Sequence, residues 1–245
     1  MLFSCEHITK KYEADPVVKD ISLEIPRGGC ISLVGPSGVG KTTLFNVLTG
    51  LDPPDEGKVF LDGENITGVS GKVAYMPQKD LLLEHRTVLD NVILPLLIRG
   101  EKKKIAREQT AAFFPQFGLC GYEKKYPHQL SGGMRQRAAL LRTCQTGSRV
   151  ILLDEPFSSL DAITRRHMQD WYREIAENME LSTFFITHDV EEALLLSDTV
   201  YILTGKPGTI TNTITVMPQR PRGKTFSVSA EFVQQKKWIL EAISS

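Results

Sequence analysis

The chain has 245 residues, of which 41% are hydrophobic and 24% are charged, and this composition excludes a largely disordered or fibrous protein. A chain of this length forms one or two domains and buries a core without needing disulfides or metals. Its 29 Lys and Arg residues balance 29 Asp and Glu residues, which argues against nonspecific nucleic-acid binding because such binding depends on neutralising many phosphates.

The sequence gives no sign of a membrane span or a secretion signal. The longest apolar run covers residues 92–98 and is interrupted by Pro95, whereas a membrane helix needs about 20 apolar residues. The first residues lack a basic stretch followed by an apolar one, so no signal peptide is expected. None of the four cysteines forms a Cys-x-x-Cys pair, which favours reduced thiols over a disulfide or a zinc site.

Four short apolar runs predict buried strands, at residues 31–34, 73–76, 150–153 and 184–186. Each run is apolar on successive residues, which suits a parallel sheet covered on both faces. Helical patterns lie between the runs, so the predicted fold class is α/β. Each run leads to a residue capable of chemistry. Because open parallel sheets bind ligands at the carboxyl ends of their strands, we expect one site at that edge.

The first run leads into a glycine-rich loop with the pattern G-x-x-x-x-G-K-[ST], from Gly35 to Thr42. A predicted helix over residues 43–51 follows, which is the context that a phosphate-binding loop needs. Glycines let successive backbone N–H groups surround a phosphate, and the helix N-terminus adds its positive end. We expect Lys41 to reach the β- and γ-phosphates and the Thr42 hydroxyl to ligate Mg²⁺.

Acidic residues follow the third run. Asp154 closes it and suits a magnesium ligand, while the adjacent Glu155 suits a general base that polarises water. An Asp-Glu pair alone is more often a surface turn, but the phosphate loop favours the catalytic interpretation. His188 follows the fourth run and suits a hydrogen-bond donor to a γ-phosphate. Taken alone, neither His188 nor Gln78 is strong evidence for a catalytic site.

Residues 87–146 lack strand-like runs and predict a helical subdomain inserted into the α/β core. We expect a single domain over residues 1–245. Residues 1–86 and 147–217 would form the nucleotide-binding core, and residues 218–245 a short C-terminal extension. Pro221 and Gly223 mark the break before a last helix, predicted over residues 230–243.

A second anion-binding segment lies within the helical region. Ser131 is a good N-cap for a helix that runs to about Cys144, and Gly132 and Gly133 allow close approach to its free N–H groups. The chain thus carries two anion-binding helix ends and only one phosphate loop. A second chain would account for the surplus.

In the order of these motifs, from about residue 2 to residue 222, the chain resembles the ATP-binding cassette subunits of ABC transporters. The resemblance is carried by Tyr12, the loop, Gln78, the signature Leu130-Ser-Gly-Gly-Met-Arg-Gln136, the acidic strand end, Ser158-Ser-Leu-Asp161 and His188. It implies a P-loop NTPase core with a mostly parallel sheet, an N-terminal antiparallel β subdomain and the inserted helical subdomain. It also implies an ATPase that works as a head-to-tail homodimer on the cytoplasmic side of the cell membrane.

The same resemblance implies the role of each site residue. Glu155, His188 and Gln78 would be catalytic, with Glu155 as the base. Thr42, Gln78 and Asp154 would hold Mg²⁺. The expected ATP-contacting residues, with the signature residues supplied by the opposite chain, are Tyr12, Gly35, Pro36, Ser37, Gly38, Val39, Gly40, Lys41, Thr42, Thr43, Ser131, Gly132, Gly133 and Gln136. Tyr12 would stack on adenine, and Asp161 would couple the two sites across the dimer.

Finer features resemble bacterial nitrate, sulfonate and taurine importers and pyrimidine-precursor importers. They include Asp161-Ala-Ile-Thr-Arg165, the segment after Thr187 and Arg220-Pro-Arg222. The implied partners are integral membrane permease subunits and, indirectly, an extracytoplasmic solute-binding protein, with no nucleic acid. Glu84-His85 replaces the Pro-Trp usual in that group, so partner and solute stay open.

Other functions are weighed against this one. An exporter ATPase remains open because cassettes differ less than their membrane partners. A soluble ABC-type ATPase acting on nucleic acid or ribosomes usually has two cassettes or a long coiled-coil insertion, and neither pattern is present. A GTP switch is disfavoured because the chain lacks an Asn-Lys-x-Asp motif.

The apolar residues after Gln78 predict a docking surface. A subunit that drives a membrane protein needs an exposed apolar groove, into which a short helix of the partner can dock. We therefore expect some of Leu81, Leu82, Leu83 and His85 to be exposed beside a cleft near Gln78, although most of residues 92–98 are expected to be core.

Overall fold

The structure is a computed structural model that describes residues 1–220, 222–223 and 225–244. Its N-terminal part contains an antiparallel sheet of β1 (Phe3–Tyr12), β2 (Asp15–Ile25), β4 (Glu56–Leu61) and β5 (Glu64–Asn65), in the order β2-β1-β4-β5. Buried and exposed residues roughly alternate in the second half of β2, as expected for strands with one face on the core. The predicted N-terminal antiparallel sheet is confirmed.

The second sheet is mostly parallel and carries the predicted strands. It contains β3 (Cys30–Val34), β6 (Ala74–Met76), β7 (Val150–Asp154), β8 (Ser182–Ile186), β9 (Thr199–Thr204) and β10 (Thr209–Thr215), in the order β10-β9-β3-β8-β7-β6. Every residue of β3, β7 and β8 is buried, as their continuous apolar runs require. Among the described strands of this sheet, only the β9–β10 pair is antiparallel.

Helices pack on both faces of the parallel sheet. These are α1 (Lys41–Leu48), α6 (Ala162–Asn178), α7 (Val190–Leu196) and α8 (Ala230–Ser244). Apolar side chains of α1, β3 and the antiparallel sheet form one core, and those of α6 and the opposite sheet face join another. The sequence placed α1 at residues 43–51, whereas the helix begins at Lys41, directly after Gly40, and ends before Thr49.

The segment between β6 and β7 is helical, as predicted. It contains α2 (Val88–Val92), α3 (Leu94–Ile98), α4 (Lys103–Ala111), a 3₁₀ turn at Pro127–Gln129 and α5 (Gly132–Cys144). Phe114, Phe117 and Leu119 are fully buried against apolar residues of α5. Within the described ranges no helix is long and apolar enough to span a membrane. Pro221 of the Arg220-Pro-Arg222 segment lies outside the described residues.

Candidate active site

The four strand ends that carry candidate residues lie side by side. The sheet order places β3, β8, β7 and β6 next to one another and parallel. Asp154 pairs with Ile186, and Met76 pairs with Leu153, so the strands end at nearly the same level. The glycine loop, His188, the acidic pair and Gln78 therefore emerge at one edge of the sheet.

The loop after β3 is fixed in position by close backbone contacts. A Cβ atom on Gly35 would lie 2.1 Å from the Leu203 carbonyl oxygen, and one on Gly40 would lie 2.6 Å from Val18 Cγ1. Gly40 also has a φ of 107°, which favours glycine. The loop is thus held between β2 and the end of β9, while Pro36, Ser37 and Gly38 stay exposed at its tip.

Lys41 places a buried cation inside this loop. Its side-chain Nζ donates hydrogen bonds of 2.8 Å to the Gly35 and Pro36 carbonyl oxygens. Burial lowers the pKa of Lys41, and the nearby Glu155 and Asp154 carboxylates oppose that shift. The ammonium group thus lies where successive N–H groups and a helix N-terminus already favour an anion.

A hydroxyl and a carboxylate meet beside the loop. Thr42 Oγ1 donates to Asp154 Oδ2 at 3.2 Å, and the Tyr75 hydroxyl donates to the same oxygen at 3.4 Å. Burial raises the pKa of Asp154, and the nearby Glu155 charge raises it further, whereas both hydroxyls act to lower it. Oxygen atoms of this kind are the ligands that Mg²⁺ prefers, so the pair fits a magnesium ion. The sequence analysis missed Tyr75, whose only signal is its position near the end of β6.

Glu155 lies at the centre of a three-residue cluster. Its Oε2 atom accepts a hydrogen bond of 3.0 Å from Gln78 Nε2 and lies 3.3 Å from His188 Nδ1. The backbone at Glu155 has a φ of 47°, a strained conformation for a residue with a side chain. Gln78 and His188 are exposed, so this carboxylate faces solvent-accessible groups. The structure brings together all three residues predicted to be catalytic.

Tyr12 lies at the end of β1 and exposes 47% of its surface. Its hydroxyl donates to Asp52 Oδ2 at 2.8 Å, and the Lys10 Nζ atom lies 5.4 Å from the centre of its ring. The hydrogen bond to Asp52 raises the pKa of Tyr12.

The segment that begins α5 lies apart from the loop after β3. Ser131 caps the helix by accepting a hydrogen bond from the Met134 N–H at 3.3 Å, and Ser131 and Gly132 are exposed. A Cβ on Gly132 would lie 3.8 Å from Leu160, and one on Gly133 would lie 3.5 Å from Thr164. Both are ordinary contacts, so packing within this chain does not require glycine at either position.

Two predicted contact residues have their side chains engaged within the chain. Gln136 is 6% exposed, and its Nε2 donates to Ser159 Oγ at 3.0 Å. Asp161 is exposed and caps α6, accepting hydrogen bonds of 3.1 and 3.0 Å from the N–H groups of Ile163 and Thr164. These bonds lower the pKa of Asp161, the Thr164 contacts most strongly.

The family model described as ABC transporter matches residues 18–158, more than half of the chain. The chain is 44% identical over 207 residues to the formylaminopyrimidine import ATP-binding protein ThiZ of Halalkalibacterium halodurans, covering 84% of this chain and 81% of that protein. It is 36% identical over 236 residues to the aliphatic sulfonates import ATP-binding protein SsuB of Bacillus cereus, covering 96% and 92%.

Solved structures are similar as well. A dimeric structure of MJ0796, described as a bacterial ABC transporter cassette, superimposes with a TM-score of 0.76 at 26% identity. It covers 91% of this chain and 100% of that one. A second structure of the same cassette is described as a dimeric post-hydrolysis state bound to ADP and Pi.

Proposed function

The chain belongs to the ABC transporter family, and we propose that it is the ATP-hydrolysing subunit that powers solute import by a membrane transporter. The observation that carries this proposal is the convergence of the glycine loop, Asp154, Glu155, Gln78 and His188 at one edge of the parallel sheet. A phosphate loop supplies binding, and a carboxylate beside it supplies a base.

We propose that residues 35–43 bind the phosphates of ATP through their backbone N–H groups and that Lys41 exchanges its bonds to loop carbonyls for bonds to phosphate oxygens. Thr42 and Asp154, with Gln78, would hold Mg²⁺, which would neutralise phosphate charge. The exposed ring of Tyr12 offers a surface for adenine. Glu155 would accept a proton from the attacking water, while His188 donates to the γ-phosphate.

We propose further that two chains pair head to tail, with Ser131, Gly132 and Gly133 of one chain facing the nucleotide on the other. The exposure of the α5 N-terminus supports this arrangement, and so does the absence of any packing reason for Gly132 and Gly133. Asp161 would lie at the same interface because its helix begins beside these glycines. Gln136 would support the segment before Asp161 through Ser159.

The membrane partner would be a pair of integral permease subunits, supplied with solute by an extracytoplasmic binding protein. We place the chain on the cytoplasmic side of the membrane and assign it no nucleic-acid partner. Residues 1–86 and 147–217 would form the nucleotide-binding core, residues 87–146 the helical part that faces the permease, and residues 218–245 the C-terminal extension. The relatives named for formylaminopyrimidine and aliphatic sulfonates import suggest small polar organic solutes.

Phosphate release from ATP by the purified chain tests this proposal. Lys41→Ala removes the charge beside the β- and γ-phosphates, and turnover should fall at least about 100-fold because such preorganised charges supply much of the rate. Lys58→Ala, the same change at an exposed position of β4, is the matched control and should hydrolyse ATP normally. Normal hydrolysis by Lys41→Ala would overturn the assignment.

A further inference from the structure

Glu192 is a buried carboxylate that the proposed mechanism does not use. It lies on α7 and is 4% exposed. Its Oε1 accepts a hydrogen bond of 3.2 Å from Gln169 Nε2, and its Oε2 accepts one from the Thr187 hydroxyl. No cation lies within ion-pair distance of it in the part of the chain that the structure describes. Burial raises the pKa of Glu192. Burying a carboxyl group also costs folding free energy.

Its hydroxyl partner lies next to His188 in the sequence. Besides donating to Glu192, Thr187 Oγ1 accepts a hydrogen bond of 3.0 Å from the backbone N–H of Asp189. One buried hydroxyl therefore fixes the chain on both sides of His188. The imidazole Nδ1 of His188 lies 3.3 Å from Glu155 Oε2.

The amide partner lies on another helix. Gln169 is buried in α6, the helix that begins at Ala162 after its cap Asp161. Arg165 makes a second connection, since its Nη2 donates to the Leu160 carbonyl oxygen at 3.0 Å and its Nη1 lies 3.4 Å from Asp189 Oδ2. The turn that carries His188 is thus attached twice to α6, through Arg165 near its start and through Gln169 at its middle.

We propose that Glu192 is the positioning residue for His188, holding the Thr187–His188 turn on α6 so that the imidazole stays beside Glu155. The role rests on the proposed ATPase function and deepens it. Because α6 begins in the segment assigned to the dimer interface, the same bonds link that interface to the position of His188. Glu192 acts through His188 and does not contact the nucleotide.

A double-mutant cycle tests the role. Glu192→Gln leaves one acceptor oxygen for two donors, so either the Gln169 amide or the Thr187 hydroxyl loses its acceptor. The value of kcat for ATP should therefore fall about tenfold or more, with KM within about twofold. Glu191→Gln, the same change at the exposed neighbour that pairs with Lys236, should leave kcat unchanged. In a His188→Ala background, Glu192→Gln should lower kcat no further. If Glu192→Gln lowers kcat in the His188→Ala background by the same factor as in the wild-type chain, the proposal is wrong.

Rescue variants separate positioning from folding. The swap Gln169→Glu with Glu192→Gln restores one donor and one acceptor at this contact and should recover most of the lost kcat. Thr187→Ser keeps the hydroxyl and should stay active, whereas Thr187→Val should match Glu192→Gln. Failure of both rescues in variants that still bind ADP would contradict the role. If the wild-type chain does not hydrolyse ATP, the proposed function fails instead.

Discussion

Glycines occur at both anion-binding segments for different physical reasons. At Gly35 a methyl group would collide with the Leu203 backbone, and at Gly40 it would meet Val18 in a backbone conformation that favours glycine. At Gly132 and Gly133 a methyl group fits within the chain. The first pair is required by the fold of the monomer. The second pair is not required by packing among the described residues, which fits the proposed approach of a second chain.

Replacing one glycine of each kind by alanine separates these reasons. Gly35→Ala should lower the free energy of unfolding by about 1–3 kcal/mol, since overpacking against backbone forces the loop to move. Gly133→Ala should leave that free energy unchanged or raise it by up to about 1 kcal/mol, because alanine favours helix, yet ATP hydrolysis should be lost. Urea unfolding and phosphate release measure both. An active Gly133→Ala variant would contradict the approach of a partner's nucleotide.

Motif residues were predictable from the sequence because their spacing encodes backbone geometry. The glycine loop and the residues after each apolar run could be assigned before the fold was known. Tyr75 and Glu192 could not, because each matters through a contact with a residue distant in the sequence. Gln136 was predicted as a nucleotide contact. Its side chain is buried against Ser159, and this burial depends on packing that no local sequence pattern reveals.

At the scale of elements, the segment after Gln78 is attached to α5. Arg135 Nε donates to Asp80 Oδ2 at 2.9 Å, and Arg142 Nη1 donates to the Leu81 carbonyl oxygen at 2.7 Å. Leu81 itself is 59% exposed, whereas Leu82 is 6% exposed. The prediction that some apolar residues here are exposed is thus confirmed for Leu81, and His85 is exposed too. The cleft near Gln78 stays a prediction.

Polar substitution at these two leucines should have opposite effects. Leu81→Asn should leave the free energy of unfolding within about 0.5 kcal/mol of the wild-type value and should retain ATP hydrolysis. It should abolish solute uptake, because the exposed leucine side chain would contact the membrane subunit. Leu82→Asn should lower the free energy of unfolding by about 1–3 kcal/mol, the cost of burying a polar group. Urea unfolding of both variants, with uptake in cells, measures the contrast. Normal uptake by Leu81→Asn would contradict a docking role.

A second element-scale prediction concerns the pairing of α2 with α4. Asp90 accepts hydrogen bonds of 2.8 and 2.9 Å from Arg107 Nη2, and together with Lys103 these contacts lower its pKa despite the opposing effect of burial. Because the pKa is lowered in the folded chain, the stabilisation is present at neutral pH and is lost as pH falls through that lowered value.

Asp90→Asn should therefore cost about 1 kcal/mol of unfolding free energy at pH 7 and less at about pH 2.5, which lies below the usual pKa of an aspartate carboxyl. Urea unfolding at both pH values measures the difference. Asp170→Asn, at a half-exposed carboxylate whose arginine contacts are 3.7 and 3.8 Å long, is the control and should change little. A cost that grows toward acid pH would contradict the assignment.

The sequence predicted some of the strands but not others. The runs that form β3, β7 and β8 are apolar at nearly every position and were found directly. From residue patterns alone, β1, β2 and β10 were missed because their mixed polar and apolar residues carry no continuous run. The strand β9 was also missed, although residues 200–203 form such a run. The N-terminal sheet was expected only from the family resemblance.

At the scale of the whole molecule, the chain presents two segments that we propose as halves of a nucleotide site, and among the described residues no contact joins them. Gly132 and Gly133 face Leu160 and Thr164 at the start of α6, whereas the loop after β3 faces Asp154 and β2. In the proposed dimer, one chain would supply the binding loop and the base, and a second copy would supply the exposed α5 N-terminus. Head-to-tail pairing would join the two halves into complete sites.

Sizing chromatography of Glu155→Gln with MgATP tests this account most directly. The substitution keeps the shape of the side chain and removes the base, so hydrolysis should fall by about 10²–10⁴ while ATP binding survives. The account predicts that this variant elutes as a dimer with ATP and as a monomer with ADP. Adding Ser131→Arg, which sets a bulky cation at the interface, should keep it monomeric. A Glu155→Gln variant that stays monomeric with bound ATP would contradict the account.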